Sequence, residues 1–279
     1  MNLVTKSNND YIEPIPHDNN INSIISDFNV KEEKVVVFDA DSLPFICSYQ
    51  PKNDEFGNPT EYYTKKNGGF DIAEGILNEK LLGIFNKIEE YFTIKTIYLC
   101  VKGNNNPRKQ WLSSYKTHRP ETPEIVNYLH NILIEKHNAF IAPIGEADDA
   151  IKTLVDTLGD NALICGIDKD LLTISGYHYN YSKDFYQYID EKTANYNFWT
   201  QVLIGDSTDF ENLSPKIGKK YAEKVLDIDM TEEEYKEAVY NGFLKAWKGN
   251  VDLAKEKMEL SYKLVKLWNF KELENVENK

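Results

Sequence analysis

Acidic residues recur in this chain in short groups, most of them where an apolar stretch has just ended. Asp39 and Asp41 follow Val35-Val36-Val37-Phe38. Glu146, Asp148 and Asp149 stand in GEADDAIKTL, Asp168 and Asp170 in GIDKDLL, and Asp206 and Asp209 in GDSTDF. Carboxylates a few Å apart resist ionising together. A hard divalent cation removes that penalty, because Mg2+ and Mn2+ take oxygen ligands. Two such ions, about 4 Å apart, would clamp the attacking and leaving oxygens of an in-line phosphodiester cleavage. Any one of these groups alone reads as a helix cap, since helix N-termini attract acids. Four groups at the same edge of one sheet are much harder to read that way.

Two other stretches carry chemistry. Arg108, Lys109, Lys116, His118 and Arg119 are interleaved with Trp111 and Tyr115. Cations beside aromatic rings suit single-stranded nucleic acid, where phosphates pair with charge and bases stack. The plainer alternative is a solvated loop whose Trp packs on the core. Further on, Ser214-Pro215-Lys216-Ile217-Gly218-Lys219-Lys220 has the pattern of a helix-turn-helix hinge. Gly218 and the amides entering the next helix would approach phosphates closely there. The plainer alternative is a loop with surface lysines.

The elements that must position these groups follow from periodicity. The run 35–38 suits a strand buried on both faces of a parallel sheet. Residues 50–70, with Pro51, Gly57, Pro59 and Gly68-Gly69, read as a long polar loop. From Asp71, placed to cap it, a helix carries Ile72, Ile76, Leu77, Leu81, Ile84, Phe85, Ile88 and Phe92 on one stripe. A second strand is expected at 96–101 and a helix at 123–137, opening after Pro123. Strands at 139–142 and 161–166 flank a helix at 146–158. This alternation predicts an α/β fold with a doubly wound, mainly parallel sheet, which binds ligands at the carboxyl ends of its strands. The tyrosines between 177 and 196 read as core and edge-strand packing. Beyond about 194 only helices are expected, at 194–204, 217–227, 231–245 and 251–268. The predicted organisation is a partly flexible extension over 1–33, with one amphipathic turn at Ile21–Phe28, an α/β core over 34–193 and a helical region over 194–279.

The 279 residues carry a formal net charge of −13, with 41% hydrophobic and 13% aromatic residues. The apolar content excludes global disorder. The acidity argues against a nucleic-acid partner unless bound cations offset the clustered acids. Cys47, Cys100 and Cys165 are an odd count without a CxxC pair, so neither a disulfide framework nor a zinc site is supported. No P-loop or dinucleotide fingerprint is present. No apolar run is long enough to span a membrane and the N-terminus lacks the apolar core of a signal peptide, so a cytoplasmic protein without a membrane partner is expected.

In order and spacing, GEADDAIKTL, GIDKDLL and GDSTDF followed by GKKYAEKVL resemble the 5′-nuclease family of flap endonucleases. The likeness is greatest to the 5′–3′ exonucleases of tailed bacteriophages and the 5′-nuclease domain of bacterial DNA polymerase I. It runs from about 34 to 227. The resemblance implies a PIN-like sheet, a helical arch at about 103–137 and a C-terminal helix-three-turn-helix. It implies Asp39, Glu146, Asp148, Asp149, Asp168, Asp170, Asp206 and Asp209 as ligands of two Mg2+ or Mn2+ ions, with Asp39, Asp148 and Asp168 central to catalysis. Lys116 would stabilise negative charge on the phosphate and Arg119 would hold it. Arg108, Tyr115, Lys116 and Arg119 would form the arch contacts to DNA. Lys216, Gly218, Lys219 and Lys220 would grip duplex, with K+ as a further ion at that hinge. The implied substrate is DNA with a 5′ flap, nick or end, or an RNA–DNA hybrid, cut by a monomer during primer or flap removal.

Two positions depart from the family pattern. Val101 stands where the second strand normally ends in Asp before Lys-Gly, and Phe210 stands where Asn usually follows the last Asp. Asp41 is a candidate to replace the acid missing at Val101, because in an extended strand it would share a face with Asp39. Two rival readings remain: a nucleic-acid-binding member of the fold with weakened catalysis, and a PIN-like ribonuclease.

Overall fold

Glu33–Asp39 forms the first strand, β1, at the centre of a six-stranded sheet. The computed structural model describes residues 31–50, 61–206, 208–210 and 213–277. The amphipathic turn expected at 21–28 and much of the expected polar loop lie outside them. β1 pairs in parallel with β2 (Thr93–Val101) on one side and β4 (Ala162–Cys165) on the other. β3 (Phe140–Ile141) lies beyond β2. β5 (Gly176–Asn180) continues the parallel sheet beyond β4, and β6 (Phe185–Ile189) closes it as an antiparallel edge. The order β3-β2-β1-β4-β5-β6 reverses direction between β1 and β4. Their carboxyl ends therefore flank the crevice where open parallel sheets bind ligands.

The continuous apolar run of β1 follows from burial on both faces. Val36 and Phe38 pack into one cluster with Leu77, Leu81 and Ile88 of helix α2 (Gly69–Glu89) and Leu129 and Ile132 of α4 (Glu124–His137). Val37 faces the other way, onto Ala150, Ile151 and Val155 of α5 (Ala147–Leu158). The short α1 (Ser42–Cys47) follows β1 directly, and α3 (Arg108–Trp111) follows β2. Gly68, not Asp71, precedes the first residue of α2, with a left-handed φ of 70°. The tyrosines of β5 and β6 pack as expected: Tyr179 stacks on Tyr186 at 4.2 Å and Tyr177 meets Tyr188 edge-on at 5.0 Å.

A second core joins α6 (Glu191–Ile204), α7 (Lys219–Val225), α8 (Glu232–Ala246) and α9 (Val251–Val265). Trp199, Tyr235 and Phe243 are its largest fully buried side chains. The expected last helix breaks after Val265, and α10 (Phe270–Glu277) follows. Among the described residues no helix is long and apolar enough to cross a membrane.

The break in that helix lets the chain return to the start of α5. Arg108 Nη1 and Nη2 donate to the two oxygens of Asp149 at 2.6 and 3.0 Å. The same guanidinium donates to the Leu264 and Lys266 carbonyls at 3.0 and 2.7 Å. Asp149 also accepts from the amides of Trp268 and Glu146, both at 2.8 Å. Phe270 N donates to Thr153 Oγ1 at 3.0 Å. Trp268 and the fully buried Leu273 pack with Ile144, and Trp111 meets Trp268 edge-on at 5.8 Å.

This brace corrects two expectations. Asp149 is 0% and Arg108 1% exposed, and four donors occupy the Asp149 oxygens. Asp149 therefore has no lone pair left for a metal ion, and the Arg108 guanidinium is taken up by Asp149 and the two carbonyls. Removing one member of a buried pair strands the other charge, at a cost of about 3–5 kcal/mol. Arg108→Ala should lower the urea-unfolding free energy by about that amount. Weaker DNA binding with unchanged stability would instead put Arg108 on a nucleic-acid surface.

Candidate metal centre

The acidic groups arrive at one cleft by different routes. Asp39 is the last residue of β1 and Asp148 sits in the first turn of α5. Asp168 caps the short 3-10 turn Lys169–Thr173 after β4, accepting from Asp170 N at 2.9 Å. Asp206 and Asp209 follow α6, with Asp206 Oδ1 accepting from Thr208 N at 2.8 Å. Asp39, Glu146, Asp148, Asp168, Asp170, Asp206 and Asp209 all line a cleft of about 1550 Å³, together with Lys116 and Arg119. Seven of the eight expected ligands are thus brought together; Asp149 is the exception.

Three of the seven have cationic partners. Lys116 Nζ lies 2.5 Å from Glu146 Oε1 and 3.2 Å from Asp209 Oδ2. Arg119 pairs with Asp209 Oδ1. Lys169 Nζ lies 3.1 Å from Asp206 Oδ2. Burial works to raise the Glu146 carboxyl, but Lys116 and Arg108 outweigh it and hold the group below its ordinary value. Asp206 is lowered in the same way, against its burial, by Thr208 and Lys169.

The other four acids have no such partner among the described residues. Burial first, then Asp41 and Asp168, pushes Asp39 up to about 8. Burial with Asp39 and Asp168 raises Asp148, and burial with Asp168 and Asp206 raises Asp170. Burial, opposed by the Asp170 amide and reinforced by Asp206, raises Asp168. Asp170 Oδ1 is buried with no hydrogen-bond partner among the described residues. An orphaned carboxylate oxygen among acids held above their normal range calls for positive charge. The donors are all oxygens, so the residues present fit a hard ion such as Mg2+ or Mn2+. Among the described residues no three His, Cys, Asp or Glu side chains already meet in a group that could hold a metal ion.

The remaining expected residues divide. Lys116 adopts a left-handed φ of 58° and its amide donates to the Asp209 carbonyl at 2.7 Å, fixing its side chain over the acids. Arg119 is half exposed at the mouth. Tyr115, expected to contact DNA, is 3% exposed. Its hydroxyl lies 3.1 Å from both Glu146 Oε2 and Asp209 Oδ2, and its ring packs 6.4 Å from Phe210. A buried ring cannot stack on a base, so Tyr115 is an internal bridge, and Phe210 is explained as its packing partner. Residues 112–123 between α3 and α4 are not helical.

Val101 is buried at the end of β2, beside Ile141 of β3. Asp41 does not share a strand face with Asp39, because β1 ends at Asp39 and Asp41 already turns into α1. Both Asp41 oxygens accept from Lys102 N at 3.1 Å, although the residue still lines the cleft. Lys216, Gly218 and Lys220 are exposed and Lys219 half-exposed at the start of α7, none of them in the cleft lining. Lys169 and Asn106 escaped the sequence reading. Asn106 Nδ2 donates to Glu146 Oε1 at 3.0 Å. Lys169 was visible between the two acids of DKD; Asn106 gave no signal.

The raised acids set a pH dependence. Each holds its proton more tightly folded than unfolded, so stability falls as pH rises from the unfolded value of 3.8 through about 8 for Asp39. Melting temperature in EDTA should therefore fall across that interval, with a shallower slope in Asp39→Asn. Mn2+ should stabilise more near the top of the interval than near its bottom. Parallel slopes for the two proteins would show that Asp39 does not carry the effect.

No protein-family model matches the sequence, and no curated protein matches it. Among solved structures, the bacteriophage T5 D15 protein co-crystallised with metal ions aligns with a TM-score of 0.52 at 12% identity, over 84% of this chain and 100% of that one. The T5 D15 flap endonuclease in complex with DNA and metal ions gives 0.49 at 12% identity, over 84% and 99%. The catalytic core of Rad2 with DNA substrate gives 0.42 at 15% identity, over 84% and 73%. With its mostly parallel six-stranded sheet and acidic carboxyl edge, the chain has the PIN-like, flap-endonuclease fold of the T5 D15 protein.

Proposed function

We propose that this chain is a divalent-metal-dependent 5′-nuclease, hydrolysing phosphodiesters near 5′ ends or single-strand/duplex junctions of DNA in primer or flap removal. The observation that carries the reading is the cleft itself, where seven of the expected carboxylates gather with Lys116, Arg119 and Lys169 beside them. Asp39, Asp148, Asp168 and Asp170, which lack cationic partners, would hold the metal together with Glu146. When bound, such an ion supplies charge neutralisation and activates water for attack on phosphorus. Lys116 stabilises negative charge on the phosphate, since an entering phosphate competes with Glu146 and Asp209 for its ammonium. Arg119, half exposed, holds the same or the adjacent phosphate. Tyr115 and Arg108 act from behind, positioning Glu146.

Duplex on one side of the scissile bond would rest on the start of α7. Gly218 has an extended φ of −143°, and a Cβ there would meet nothing within 4 Å. The fold therefore does not require glycine at this position, whereas close approach of a phosphate to the backbone does. Exposed Lys216 and Lys220 add charge beside it.

A 5′-flapped DNA should be cut in Mg2+ or Mn2+, and Asp168→Asn should abolish cutting. Lys116→Ala should slow turnover by about 10²–10³-fold while leaving duplex affinity nearly intact. Binding of flapped DNA without cleavage in either metal would favour a non-catalytic member of the fold, for which the buried Val101 is the motive. Preference for single-stranded RNA over flapped DNA would favour a PIN-like ribonuclease.

Gly218→Ala should keep the melting temperature and weaken duplex binding. The Lys216/Lys219/Lys220 triple alanine variant should flatten the dependence of binding on salt. Unchanged affinity in both would remove α7 from the DNA interface.

A further inference from the structure

Cross-strand partners in the β5–β6 hairpin share a face, and successive residues alternate. Tyr177, Tyr179, Tyr186 and Tyr188 occupy one face and pack on one another. His178, Asn180, Phe185 and Gln187 occupy the other, paired as Asn180 with Phe185 and His178 with Gln187. All four line the carboxylate cleft. The patch is continuous with the proposed metal centre, because β5 runs beside β4 (Cys165 opposite Tyr179) and the chain leaves β4 directly for Asp168.

Its chemistry differs from that of the carboxylate cluster. Phe185 is 46% exposed, an uncovered ring on the cleft wall. The half-buried Gln187 amide makes no hydrogen bond among the described residues. His178 is buried, its ring nitrogen 2.8 Å from the Ile174 carbonyl, so it adds a neutral floor. A phosphate could accept a hydrogen bond from the amide but gains nothing from the uncharged ring. A nucleobase offers both a π-face for the ring and edge donors and acceptors for the amide. The base must be unpaired, since in duplex its faces are stacked and its edge is taken by its complement.

We infer that the cleft-facing side of the β5–β6 hairpin is a subsite for one unpaired nucleobase of the substrate, stacked on Phe185 and hydrogen-bonded by Gln187. The inference rests on the nuclease reading above and adds where a base, rather than a phosphate, is held.

The test uses full-length protein with Ca2+ in place of Mg2+, and 5′-flapped DNA carrying 2-aminopurine at successive unpaired positions. Wild type should change the fluorescence at one position, and an abasic nucleotide there should weaken binding. Phe185→Ala should abolish that change and weaken binding about fivefold to a hundredfold, with no further loss from the abasic nucleotide. Phe185→Trp should restore affinity, and Gln187→Ala should weaken binding while retaining the stacking signal. Wild-type affinity in Phe185→Ala, with equal sensitivity to the abasic nucleotide, would overturn the subsite and leave the nuclease reading standing. A wild type that neither binds nor cuts flapped DNA overturns both.

Discussion

Like charges at the carboxyl edge of a parallel sheet are the constraint around which this protein is arranged. Parallel strands deliver the acids that follow them to the same side, so Asp39 and Asp168, with Asp148 at the adjoining helix start, are crowded by topology. Such crowding needs compensation. The chain compensates on one side, with Lys116 on Glu146 and Asp209, Arg119 on Asp209, and Lys169 on Asp206. It leaves Asp39, Asp148, Asp168 and Asp170 without it. On the function proposed above, the uncompensated acids would hold divalent cations and the paired cations would exchange to phosphate.

The helix carrying Glu146 and Asp148 must itself be held against this repulsion. Its anchor is Asp149, one residue past the cleft, whose carboxylate is fully occupied by Arg108, Trp268 N and Glu146 N. Through Arg108 the anchor reaches the carbonyls that end α9, and through Thr153 it reaches the start of α10. The C-terminal residues are thereby part of the support of the acidic edge, although none of Phe270–Glu277 lines the cleft. Tyr115 makes a second link, since its ring belongs to the helical core while its hydroxyl stands between Glu146 and Asp209.

Much of this is legible along the chain. The two-sided burial of β1 is written in Val35–Phe38, the apolar stripe of α2 repeats at helical spacing, and the acids come in groups after strands. These are local signals with fixed periods, and long-range packing has only to agree with them. The tyrosines between 177 and 196 likewise point to core and edge-strand packing, though not to a hairpin, nor to an opposite face that lines the cleft with Phe185 and Gln187.

Residue type and spacing thus determined that acids would gather at one sheet edge, because strand and helix periods are properties of neighbouring residues. They could not determine which acids would stay free. Asp148 and Asp149 are consecutive in a helix and so point about 100° apart, one into the cleft and one into a buried pair with Arg108, 41 residues away. Asp41 follows Asp39 by two residues but leaves the strand, so the strand-face relation between them is lost. Tyr115 and Arg108 have the composition of a DNA-contacting loop, yet the second core and the returning C-terminus bury them. Whether a charged or aromatic side chain meets solvent, a metal ion or another side chain depends on what distant segments bring against it, and only the tertiary structure supplies those segments.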